Sequence, residues 1–277
     1  MAITTRDGII DGLANNNNRV LWDKASISSQ VVGQFCSLWR GTGVPAQGAI
    51  PAAAAYCTKA LLGSLGFDNQ TAPATSYLAY HTLITSVANT NLEIHDRLAH
   101  MGGLSGIVTT AQTVGIALNT INAGAPVEAS RLGDANYSDV TWFLEWYTAT
   151  GATASNATVN VTYDDGSTGN LTAFSVGSTA ITASQMRQLT PAVNGRFIRG
   201  VNTVTLSAST GTAGSFGVTA TRQKAALSTA LANVIHIFDW AQLGMASVPN
   251  DSCLMGILMS TATATGTIRG QGKLIHG

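Results

Sequence analysis

Val140-Thr-Trp-Phe-Leu-Glu-Trp-Tyr-Thr148, Ala157-Thr-Val-Asn-Val-Thr-Tyr163 and Phe197-Ile-Arg-Gly-Val-Asn-Thr-Val-Thr-Leu-Ser207 decide how this chain folds. In the first, Val140, Trp142, Leu144 and Trp146 alternate with Thr141, Phe143, Glu145 and Tyr147. In the second, Ala157, Val159, Val161 and Tyr163 alternate with Thr158, Asn160 and Thr162. A period of two sends successive side chains to opposite faces of a strand. β-Branched and aromatic residues pack well on that pleated surface. Asp164-Asp165-Gly166 reads as a tight turn, and Leu171–Val176 and Phe216–Ala220 add further strands to the block 136–221. The expected fold is mainly β: an antiparallel sandwich or jelly-roll-like domain, with an N-terminal helical arm and a few short helices.

Outward from this block the periods change. Upstream, residues 76–88, 92–94 and 108–118 read as strands, and Asp96–Gly106 as an ordered loop rich in glycine. Residues 182–189 suggest a helical turn, and 210–215 a hairpin turn. Downstream, Leu227, Leu231, Val234, Ile235 and Phe238 recur at helical spacing, so 222–240 reads as helix. Cys253–Met259 and Gly266–Ile275 close the chain as strands, with Gly270 and Gly272 marking a bulge or a close backbone approach. At the N-terminus, Thr5–Leu13 suggests a short helix, and the polar run Asn15–Asn18 opens a loosely ordered arm carrying Trp22. Ile27, Val31, Phe35, Leu38 and Trp39 predict a helix over 25–39, and the Ala-rich stretch 51–62 a second. The expected organisation is an N-terminal arm and helical region over 1–75 and a β-sandwich domain over 76–277.

Only 10% of the 277 residues are charged, against about 25% in an ordinary globular protein. Fourteen basic residues balance fourteen acidic ones. No basic field is available for nucleic acid. So weakly charged a surface gives little repulsion between copies, which suits a protein packed against copies or partners. No run of about 18 apolar residues predicts a transmembrane helix. The first sixteen residues lack the apolar core of a signal peptide. Cys36, Cys57 and Cys253 lie in apolar or Ala-rich surroundings and read as buried free thiols, although Cys36 and Cys57 could pair in an oxidising compartment.

Motifs for chemistry are sparse. His95-Asp96-x-x-x-His100 is the only local histidine cluster, and its spacing of five fits one helix face poorly. No HExxH, CxxC, calcium loop, phosphate loop or GxSxG elbow occurs. Glu145 between Leu144 and Trp146 is the best carboxylate for a sugar site, with Trp142 and Trp146 beside it, although the outward face of a sheet edge accounts for it equally simply. Catalytic residues, cofactors and metals are therefore not expected, and neither is enzyme activity.

The wordings Asp96-Arg-Leu-Ala-His-Met-Gly-Gly-Leu-Ser-Gly106, Trp142-Phe-Leu-Glu-Trp-Tyr-Thr148, Tyr163-Asp-Asp-Gly-Ser167, Arg199-Gly-Val-Asn-Thr-Val-Thr-Leu-Ser207 and Thr210-Gly-Thr-Ala-Gly-Ser-Phe-Gly217 resemble a group of virion structural proteins of tailed bacteriophages. The resemblance spans roughly residues 76–277 and brings no catalytic signature with it. It implies a structural protein of the virion, foremost a capsid decoration or cement protein. Such a protein would bind the major capsid protein and copies of itself as a homo-oligomer in the particle, after assembly in the host cytoplasm. A tail, neck or baseplate component is the alternative, and a carbohydrate-binding module a further one. The candidate interface anchors are Trp22, Phe35, Trp39 and Arg199.

Overall fold

The computed structural model describes residues 3–15 and 17–277. The protein is mainly β, built of antiparallel sheets with few helices. The chain divides into two compact units, Met1–Ala49 with Thr58–Asp96 and Gln223–Gly277, and Ile50–Cys57 with Arg97–Arg222. This division differs from a boundary at residue 75, because each unit takes up stretches far apart in sequence. The boundaries at residues 96/97 and 222/223 fall inside the two 15-residue strands, Thr90–Leu104 and Ser215–Thr229.

In the second unit one sheet runs in the order Thr168–Asn170, Asn156–Tyr163, Ile198–Leu206, Gln112–Ala117. Facing it, Val140–Thr148 pairs on one side with Ser215–Arg222 and on the other with Met186–Leu189. Val114, Ile116, Val159, Val161, Val201 and Val204 from the first sheet meet Trp142, Leu144, Trp146, Phe216 and Val218 from the second in one buried core. Inward-facing apolar residues on two stacked sheets make this unit a β-sandwich. The Asp164–Gly166 turn forms as its sequence predicts: Gly166 has φ +89°, its N–H donates to Tyr163 O at 3.0 Å, and Thr168 pairs with Thr162 beyond it. Residues 207–214 are not a hairpin turn; they link strands in the two different sheets.

In the first unit a sheet runs in the order His236–Asp239, Ser76–Thr85, Ile268–His276, Asn17–Lys24, Gly43–Val44. Opposite it, the strand Leu254–Met259 pairs with Phe35–Ser37 and with Asn91–Asp96. Val20, Trp22, Leu78, Leu83, Ile268 and Leu274 pack against Cys36, Leu38, Leu92, Ile94, Leu254 and Leu258. Helix Arg6–Asn15 lays Ile9 on Ala79 and Ile275. Gly270 explains the glycines of the last strand: a Cβ there would stand 2.0 Å from the Thr82 carbonyl oxygen.

Several expected helices are strands. Asn17–Lys24, expected as a loose arm, is zipped antiparallel to Ile268–Ile275; Asn16 of its polar run lies outside the described residues. The helix expected over 25–39 is interrupted by Gly33 at φ +79°, whose N–H goes to Ser260 O. Beyond it Phe35–Ser37 is a strand, and Leu38–Arg40 a single 3-10 turn capped by the Ser37 hydroxyl. In the Ala-rich stretch, Ala55–Tyr56 pairs with Ala99–His100, so sheet pairing overrides alanine's helix preference. Residues 185–189 pair as a strand with 142–145. The helix expected over 222–240 is strand to Thr229 and again over His236–Asp239. Of its apolar stripe only Leu227 and Phe238 are buried.

Candidate functional site

The chain's most concentrated polar chemistry lies inside the second unit. Six consecutive residues, Trp142–Tyr147, are buried, so this strand has a core on both faces. Trp142, Leu144 and Trp146 belong to the sandwich core; Glu145 is turned the other way by the period of two. There Arg97 Nη2 lies 2.7 Å from Glu145 Oε2, with both side chains 0% exposed. The same carboxylate oxygen accepts hydrogen bonds from the Thr219 hydroxyl at 2.5 Å and the Tyr147 hydroxyl at 3.3 Å. Arg97 also donates to Tyr147 Oη at 2.9 Å and, through Nε, to His100 Nδ1 at 3.0 Å.

A second buried arginine extends the network. Arg131 donates to Tyr56 Oη at 2.5 Å, Cys57 O at 2.9 Å and Arg97 O at 3.1 Å. Its guanidinium carbon stands 4.9 Å over the Tyr56 ring, and the Tyr56 hydroxyl in turn donates to Glu128. Burying a charge is costly unless it is paired and hydrogen-bonded, and these partners meet that requirement.

The electrostatics fix the protonation states. Burial opposes the Arg97 cation, but the Glu145 carboxylate and the other neighbours together outweigh it and raise the pKa above the ordinary value. Burial, then the adjacent Arg97 charge, pushes His100 down to about 2, so it stays neutral and accepts from Arg97. Burial, then the Glu145 charge, raises the Tyr147 phenol. Glu145, His100 and Tyr147 are thus held in fixed states away from water. This arrangement can fix a core, but it offers no proton-transfer group to a soluble substrate.

The sequence-predicted residues are dispersed. Trp142 donates to Ile198 O at 2.8 Å, and Trp146 donates to Thr150 Oγ1 at 3.1 Å while stacking on Phe216. Together with Glu145 they present no surface to a sugar. Glu145 is also not on an outward sheet face. Trp22 and Trp39 are buried in the first unit; Trp22 donates to His81 Nε2 at 2.9 Å and Trp39 to Ala49 O at 2.9 Å. As anchors they are spent on their own core. Phe35 and Arg199 are half-buried. Asp96–Gly106 is strand as far as Leu104 rather than a loop, and the Asp96 carboxylate accepts from Cys253 N–H at 2.9 Å. His95 bonds Glu93 at 2.8 Å. Among the described residues no group of three His, Cys, Asp or Glu is placed to hold a metal. Cys36, Cys57 and Cys253 are buried free thiols.

Sequence reasoning missed two buried cations. Arg131 sits in the turn-rich connection 122–138, where its neighbours give no sign of burial. Lys24 Nζ donates to Gly41 O at 2.9 Å and Pro45 O at 2.6 Å, and burial lowers it to about 8. The signal for Lys24 was available: Val20, Trp22 and Lys24 share one face of a strand.

The surface offers polar, uncharged ground. On the outer face of the Asn156–Tyr163 sheet, Asn160 bonds Asn170 at 2.8 Å and Asn202 at 2.9 Å, forming an amide ladder over three strands. Hollows lined by Leu171, Phe174, Gln188 and Pro191, and by Asn89, Asn91, Ser228 and Thr229, carry no ionisable side chain.

No protein-family model and no curated protein matches the chain. Among solved structures, it aligns with the infectious bursal disease virus VP2 subviral particle at 10% identity over 94% of this chain and 79% of that one, with a TM-score of 0.17. The Gt strain structure of that virus aligns at 11% identity over 94% and 80%, also with a TM-score of 0.17. Similarity at this level carries no weight for fold or function.

Proposed function

We propose that this chain is a virion structural protein of a tailed bacteriophage, and foremost a capsid decoration or cement protein that acts by binding alone. The carrying observation is where its chemistry lies. The clustered arginines, Glu145, the tyrosines and His100 are sealed in the second unit's interior, whereas large apolar side chains such as Ile10, Val32, Leu62, Leu231, Ile235 and Ile237 are exposed. A protein that works by burying surface against partners needs this distribution; one that turns over a substrate needs the reverse. The low charge and the Asn/Thr outer face support the same reading. So does the resemblance of residues 76–277 to phage virion proteins. The partners are the major capsid protein and further copies of this chain.

The test is reconstitution. Particles made without this chain are mixed with the purified protein, then heated while DNA release is followed. A cement protein co-sediments with the shell and raises the temperature of DNA release. Failure to co-sediment with shells would overturn the capsid role, and attachment confined to tails would replace it with the tail or neck reading.

A further inference from the structure

The strand His236–Asp239 pairs with Ser76–Thr85 and is an end strand of its sheet. An unpaired strand edge is a template for another chain, and proteins usually blunt it with lysine, proline or a bulge. The sheet's other end is blunted: Gly43–Val44 is two residues long and runs into Pro45, which has no N–H to offer. The His236–Asp239 edge has no such guard. From Ala225 to Phe238 there is no formally charged residue and no proline. Within ten residues, Leu231, Val234, Ile235, Ile237 and Trp240 are 61%, 44%, 60%, 59% and 37% exposed. That amounts to apolar surface on the order of 500 Å², the scale of a functional patch.

We infer that this edge is a self-association surface, on which a second copy of the chain pairs antiparallel with His236–Asp239 about a two-fold axis. The inference rests on the assembly reading above and names its contact. Charge selects the occupant. An acidic or basic partner would find nothing to recognise, whereas two copies meet without like-charge repulsion. In the register that sets Ile237 opposite Ile237, Asp239 of each copy lies against Ile235 of the other, so the only formal charge on the strand never faces itself. Such an isologous pair is closed and does not propagate. Two patches together bury about 1,000 Å², the lower bound for a specific, weak interface. A concentration-dependent dimer is the expected state.

The test uses the two-fold axis. Antiparallel pairing brings the Cα atoms of directly opposed residues to about 4.5–5.5 Å, within disulfide range. In the full chain, Ile237→Cys should form an intermolecular disulfide under mild oxidation roughly tenfold or more faster than Val193→Cys, an exposed control in the other unit. Ile237→Lys should sediment as monomer at concentrations where the unaltered chain is dimeric, with an unchanged unfolding midpoint. Equal cross-linking of the two cysteine variants, or an unaltered chain that stays monomeric throughout, would overturn the inference. A chain that is always monomeric but loses particle attachment on Ile237→Lys would give the edge to a different virion protein, and also overturns it. A solution dimer with no copies in particles would keep this inference and remove the virion reading.

Discussion

Arg97 and Glu145 show what a buried charge requires of its surroundings. Removing one partner leaves the other desolvated and unpaired, which costs about 3–5 kcal/mol. Glu145→Leu should therefore lower stability by that amount in urea unfolding, while adding Arg97→Met should recover part of the loss. The exposed pair Asp23–Arg269, at 3.0 Å, sets the contrast: Asp23→Ala should change stability by less than about 1 kcal/mol. His81 adds a pH dependence. Burial lowers it to about 4 from 6.5, and as the neutral ring it accepts the Trp22 indole N–H. Between those two values the unfolded chain binds a proton that the folded chain does not, so stability falls as pH drops from 6.5 towards 4. The loss is about 3 kcal/mol, and His81→Gln should flatten the profile. Glu145's burial was legible in principle, because a lone charge inside Trp-Phe-Leu-Glu-Trp-Tyr marks a strand covered on both faces. Its partner was not legible, since Arg97 lies 48 residues away and only the fold brings them together.

At the scale of elements, glycine governs the central strand of the first unit. Gly270 lies where any Cβ would strike the Thr82 carbonyl, so Gly270→Ala should destabilise by about 2 kcal/mol or more. Gly66, with open space around it and no positive φ, is the control: Gly66→Ala should be neutral or slightly stabilising. Both are read by thermal unfolding. The β block was legible because alternation over 140–148, 156–163 and 198–206 has one simple solution. The segment 222–240 misled because Leu231, Val234 and Ile235 fit a helical stripe by spacing alone. They are exposed, so their spacing records no buried face. Residues 96–106 read as a loop because Asp, Arg, His and two glycines are poor strand formers. The strand survives because its charges find partners in the fold and because Gly217 lets the Met101 carbonyl approach to where a Cβ would be.

At the scale of the whole molecule, the two units are each assembled from distant segments, so most stabilising pairings are long-range. Domain organisation was the least legible property, since the unit boundaries fall inside continuous strands and leave no linker, glycine run or change of composition to read. The same holds for surface function: Trp22 and Trp39 looked like anchors by residue type, and the fold uses them as core. What remains outside is an uncharged polar face and an unguarded apolar edge, a surface suited to assembly. The most direct measurement of that claim is the copy number and position of this chain in purified particles, by quantitative mass spectrometry with imaging. Hundreds of copies distributed over the shell is the result the account predicts. Particles that contain none would contradict it.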